Sequence, residues 1–224
     1  MLKDNRIRII VGHYGSGKTE FAVNYAVKLS ETGKKVILAD LDVVNPYFRS
    51  REKTEDLENL GIKVIGSSIK GNSVDVPSVS AEIYGPLQDE SMEAVLDVGG
   101  DPVGARALGR YHSFFEDGKY DMFFVLNAYR PETQTLENVE KYIRDIERAS
   151  RAKVTGLINN THLLKSTTLE DVLFGQKLVE EVSAALNIPV KYVSALEHVA
   201  KALPHDIEGE ILPIKLFMRE DWML

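Results

Sequence analysis

The chain has 224 residues, enough for one α/β domain over residues 1–224 and short for two, and its 44% hydrophobic and 27% charged residues are an ordinary globular balance. A net charge of −7 gives no electrostatic reason to expect nucleic acid as the main partner, and the lack of cysteine excludes disulfides, thiolate catalysis and cysteine-held zinc or iron–sulfur sites. No apolar run approaches the about 18 residues of a membrane span, and the first six residues lack the apolar core of a signal peptide, so a cytoplasmic location is the default expectation.

In chain order, residues 7–11 are apolar and β-branched, and a glycine-rich turn ends them. Residues 18–31 carry Phe21, Ala22, Tyr25, Ala26 and Leu29, one face of a helix, with Gly33 as a stop signal. A strand is expected over 36–39, a helix over 52–60 closed by Gly61, and a strand over 63–66. Further buried strands are expected over 94–98, 122–126, 154–158 and 190–193, with helices over 105–115, 132–149 and 168–186. Strands alternating with helices predict a three-layer α/β fold with a mostly parallel central sheet covered on both faces. Residues 66–86, rich in Ser, Val, Gly and Pro, read as a long surface connection, with a lid or substrate loop as the alternative. Residues 214–224 hold Leu216, Phe217, Trp222, Met223 and Leu224, with balanced charges. They are expected to pack on the domain or at a subunit interface rather than on a membrane.

Gly12-His13-Tyr14-Gly15-Ser16-Gly17-Lys18-Thr19 matches G-x-x-x-x-G-K-[ST] between a predicted strand and a predicted helix, the P-loop context. Glycines let backbone N–H groups surround phosphate oxygens, and the helix that follows points its positive end at them. Lys18 is expected to reach the β- and γ-phosphates, and the Thr19 hydroxyl to ligate Mg²⁺. Glu20, the next residue, is a further candidate contact. A dinucleotide-binding G-x-G-x-x-G starting at Gly15 would need glycine or alanine where Glu20 stands, so that reading fails.

Two strand ends carry carboxylates. Asp40 and Asp42 close the 36–39 strand and alternate onto one side, where they can hold metal-bound water and orient an attacking water. Asp97 ends the 94–98 strand at the position of a second metal-binding carboxylate, and Gly99 and Gly100 permit close backbone approach to a γ-phosphate. Asp101 reads either as a switch residue or as the start of the turn before Pro102. Arg130 reads as a solvated loop arginine, with nucleotide or partner contact as the alternative.

The loop, followed by Val36-Ile37-Leu38-Ala39-Asp40-Leu41-Asp42-Val43-Val44-Asn45-Pro46-Tyr47, resembles the MinD/ParA-type P-loop ATPases, a group that includes CobQ/CobB-like proteins. The resemblance implies that Asp42 positions the hydrolytic water, with Asp40 near the metal. It also implies that Asn159 reads the base and that ATP can bridge a homodimer. Members usually read K-G-G-x-G-K-[ST]. Here His13 stands in place of the first lysine, which would reach across that dimer, and Tyr14 replaces the next glycine. The Asn159-Asn160-Thr161 run lacks the guanine-reading N-K-x-D, which favours ATP over GTP. Ser194, Ala195 and Leu196 are candidates for a wall beside the base.

The expected function is therefore a Mg²⁺-dependent ATPase that switches an unknown protein partner. The alternatives are a small-molecule kinase or ATP-dependent ligase, with its acceptor near residues 45–51 or 66–85, and a nucleotide sensor that barely turns over. Histidine spacing gives no metal site.

Overall fold

The structure, a computed structural model, describes residues 2–42, 54–66, 81–116 and 118–218. Among these, β1 (Ile7–Val11), β2 (Lys35–Leu41), β3 (Ile62–Ile65), β4 (Met92–Val98), β5 (Tyr120–Leu126), β6 (Gly156–Asn159), β7 (Val190–Leu196) and β8 (Glu210–Ile214) form one sheet. The spatial order is β3-β2-β4-β1-β5-β6-β7-β8, and every pairing is parallel, which strengthens the expectation of a mostly parallel sheet. All strands therefore end on the same edge, where open parallel sheets bind ligands.

The three layers follow from alternation along the strands. Ile7, Ile9 and Val11 of β1 enter one core, while Ile10 enters the other. On the Ile10 side, α1 (Lys18–Ser30) buries Phe21, Ala22, Tyr25, Ala26 and Leu29, and α2 (Thr54–Asn59) adds Leu57. On the Ile9 side lie α3 (Tyr84–Gln88), α4 (Pro102–Arg106), α5 (Leu136–Ser150) and α6 (Leu169–Leu186), through Leu87, Ala105, Val139, Ile143, Val179 and Val182. Each such side chain contributes about 1.5–3 kcal/mol when fully buried. A smaller cluster joins Val172 and Val193 to α7 (Glu197–Ala200) through Val199 and Ala200.

Helix starts explain several shifted boundaries. Thr135 caps α5 by accepting from the Asn138 N–H, so the helix expected from 132 begins at Leu136, after a 3-10 turn over Pro131–Thr133. Thr168 and Asp171 form a capping box at α6. The single helix expected over 105–115 is instead α4 followed by a 3-10 helix over Ala107–Phe114. β8, α3 and α7 are additions to the predicted pattern. Of the irregular region 66–86, residues 67–80 lie outside the described residues, and the described end forms a 3-10 turn leading into α3. The expected acceptor region 45–51 and tail residues 219–224 also lie outside them. No helix among the described residues is long and apolar enough to cross a membrane.

Candidate nucleotide site

The loop joining β1 to α1 depends on its glycines. Gly12, Gly15 and Gly17 have φ of 144°, 74° and 87°, values that side-chain-bearing residues rarely adopt. A Cβ on Gly12 would collide with the Val125 carbonyl, and one on Gly17 with the Asn160 amide. Gly17 is the N-cap of α1 and provides no side-chain cap, so the first helical turn presents N–H groups suited to an anion. Lys18 is 6% exposed, and its Nζ donates to the His13 carbonyl at 3.3 Å. Burial lowers its pKa, opposed by the charges of Asp97, Asp42 and Asp101.

β2 and β4 are neighbours, and their register sets Asp40 opposite Asp97. Asp40 Oδ1 accepts the Asp42 N–H at 3.0 Å. Asp97 is buried, and neither carboxylate oxygen completes a hydrogen bond, although the Thr19 hydroxyl is near enough to favour the charged form. Burial, followed by the charge of Asp40, pushes the Asp97 carboxyl up to about 7, against the pull of Lys18. A buried carboxylate without a hydrogen bond is costly, and a cation beside it would relieve that cost. Among the described residues, no group of three acidic, histidine or cysteine side chains could cage a metal by itself. The donor set instead fits Mg²⁺, which keeps waters and phosphate oxygens alongside one or two protein ligands. Thr19 and Asp97 could supply those ligands, with Asp40 behind them.

Gly99 and Gly100 pack this centre without side chains. A Cβ on Gly99 would sit 3.2 Å from Asp42 Oδ1, and one on Gly100 2.7 Å from Lys18 Nζ and 2.8 Å from the Tyr14 nitrogen. Tyr142 on α5 donates to the Gly100 carbonyl. Asp101 resolves as the N-cap of α4, accepting from the Gly104 N–H at 2.6 Å, with Pro102 beginning the helix. His13 faces α5 and the 3-10 turn before it: its Nε2 lies 3.7 Å from a Glu132 oxygen of the turn, and its ring meets Tyr142 of α5 edge-on at 5.3 Å.

A cavity of about 400 Å³ runs from Gly15, Lys18 and Thr19, past Asp42 and Glu20, to Ser194, Ala195 and Leu196. Asn160 lines it, donating to the Ser16 carbonyl at 2.7 Å and accepting from Ser194 Oγ at 2.7 Å. Asn159 turns the other way. Its Nδ2 donates to the Val172 carbonyl and to Gln176 Oε1, both at 3.0 Å, and its Oδ1 accepts the Thr161 N–H at 3.1 Å. The structure thus gathers the loop, Asp40, Asp42, Asp97 and Gly99 around one centre and leaves Asn159 in the interior. Arg130 is not a solvated loop residue: it is half-buried, lines the cavity and donates from Nε to the Gly15 carbonyl at 2.8 Å. Leu216 and Met218 complete the apolar end. Sequence reasoning gave these two no part in the site. The signal that could have found them is Asn24, a polar residue four positions after Glu20 on the apolar face of α1.

A parallel sheet with a glycine-wrapped lysine at its C-terminal edge defines a P-loop nucleotide-binding domain. Residues 9–174 match the sequence model of the CobQ/CobB/MinD/ParA nucleotide binding domain, and the chain belongs to that family. Solved structures with a similar fold include the cell division protein FtsY of Thermotoga maritima (TM-score 0.56, 20% identity, covering 88% of this chain and 64% of that one). The signal recognition particle receptor FtsY of Elizabethkingia anophelis is also similar (0.53, 21%, covering 93% and 63%), as is chloroplast FtsY of Physcomitrella patens (0.60, 20%, covering 89% and 61%). The chain spans under two thirds of the length of these FtsY chains. The comparison with curated proteins finds no match.

Proposed function

We propose that the protein binds Mg²⁺·ATP on residues 12–19 and hydrolyses it slowly, using the change of state to switch an unidentified partner or its own association. The observation that carries this reading is Asp97, a buried carboxylate without a hydrogen bond, set beside Lys18, Thr19 and Asp40 where the loop meets the sheet. In this reading, the loop N–H groups and Lys18 hold the β- and γ-phosphates. Thr19 and Asp97 hold Mg²⁺, with Asp40 behind them. Bound Mg²⁺ withdraws charge from the phosphate oxygens. Asp42, on the cavity wall, accepts a hydrogen bond from the attacking water and turns its lone pair toward the γ-phosphorus. Gly99 and Gly100 follow the γ-phosphate through their backbone, and Tyr142 carries that movement to α5. Asn160, which lines the cavity where Asn159 does not, holds the base-side wall by joining Ser16 to Ser194.

Three measurements test this. Lys18→Ala should abolish Mg²⁺·ATP binding. Asp42→Ala should retain binding while ADP formation falls about a hundredfold or more, as loss of a water-positioning group does. If ADP forms only when a small-molecule acceptor is added, the switch gives way to a kinase. The solution mass of Asp42→Ala, with Mg²⁺·ATP and with Mg²⁺·ADP, then reads the output. Doubling with ATP alone supports a dimerising switch despite His13, and constant mass with nucleotide bound removes self-association from the proposal.

A further inference from the structure

We infer that Asn24 and Glu20 are positioning residues that fix the base-side wall of the nucleotide cavity by tying residues 215–218 to α1. The inference rests on the nucleotide reading above and concerns neither the phosphate loop nor the strand-end aspartates.

The wall needs such a tie. Pairing of β8 with β7 ends at Ile214, opposite Leu196, so the chain beyond that point is not held by the sheet. Two residues later Leu216 faces the cavity, followed by Met218. Asn24 is 7% exposed, on a helix face otherwise filled by Phe21, Ala22, Tyr25 and Leu29. An asparagine amide there is costly unless its groups are used, and they are. Its Nδ2 donates to the Lys215 carbonyl at 2.8 Å, and its Oδ1 accepts the Lys215 N–H at 2.8 Å. The side chain thus reads one residue's backbone donor and acceptor together, as a neighbouring strand would. The same Nδ2 also donates to the Glu20 carbonyl at 2.8 Å, which fixes the rotamer.

Glu20 extends the tie by one turn. Its carboxylate accepts the N–H groups of Phe217 and Met218. A carboxylate directly after Lys18 and Thr19 would otherwise repel a polyphosphate. Two backbone N–H groups of the tail partly offset that charge where Glu20 lines the cavity. Leu216 lies between the two anchors and lines the cavity together with Leu164, Leu196 and Met218. The phosphate end is polar and is set by residues 15–19, so this apolar end is the part that selects a flat ring.

The test separates the two ends by calorimetry with Mg²⁺·ATP and with Mg²⁺·tripolyphosphate, a probe with no base. Asn24→Ala should weaken ATP binding about tenfold, the cost of losing buried hydrogen bonds at the wall, while tripolyphosphate affinity stays within about twofold. Leu216→Ser, a change at a half-buried position, should show the same split and serves as the reading should Asn24→Ala fail to fold. Equal losses for both ligands, or no loss for ATP, overturn the wall while leaving the nucleotide site intact. Wild-type protein that binds neither ligand overturns the nucleotide reading itself.

Discussion

Asp40 and Asp97 stand opposite each other in register on neighbouring parallel strands, 2% and 1% exposed, so one carboxylate ionises in the field of the other. The Asp97 carboxyl, raised to about 7 first by burial and then by Asp40, keeps its proton in the folded chain after the unfolded chain has lost it at about 3.9. Between about pH 4 and 7 the folded state therefore binds the extra proton, so this group's contribution to stability falls as pH rises and levels off above that window. With chelator present and no nucleotide, thermal midpoints of wild type and Asp97→Asn should diverge across this range, the variant gaining as pH rises. Parallel curves would remove Asp97 as the source.

Gly12→Ala should damage both the fold and the site. The Cβ would enter the Val125 carbonyl at a φ of 144°, so the loop must move, at a cost of about 1–3 kcal/mol in stability and with loss of most nucleotide affinity. Gly33→Ala is the control. Its φ is 78°, but nothing lies within 4 Å of the added carbon, so it should cost about 1 kcal/mol and leave affinity unchanged. Denaturant melts and nucleotide titration of both variants check the contrast, and equal affinity losses would refute it.

The adjacent asparagines should separate stability from binding. Asn159→Ala strands the Gln176 Oε1 and Thr161 N–H partners in the interior and should destabilise by about 2 kcal/mol, with affinity little changed. Asn160→Ala removes the tie between Ser16 and Ser194 at the cavity wall and should weaken nucleotide binding about tenfold. Reversed phenotypes would return base recognition to Asn159.

What could be read in advance follows from how local each signal is. The phosphate loop, Asp40, Asp97 and α1 were legible because glycine spacing and strand-end carboxylates are encoded within a few residues. Which of Asn159 and Asn160 faces the cavity was not, since one position along a strand reverses the side a residue faces, and only the packing of α6 decides which face is interior. β8 has no clear strand signal because it carries Pro213, a residue that central strands exclude and an edge strand tolerates. Arg130 was misjudged because its partner, Gly15, is 115 residues away in the chain.

The two ends of the cavity are made at different times during synthesis. The loop, β2, β4 and Asp97 are all present once residue 98 has emerged, but Leu216 and Met218 follow β8. A ribosome-bound chain that has not reached Met218 has its phosphate cradle without the apolar closure. On the proposed function, a complete nucleotide binds more tightly than a bare phosphate only after the eighth strand has docked, so the ligand would stabilise late assembly of the sheet edge.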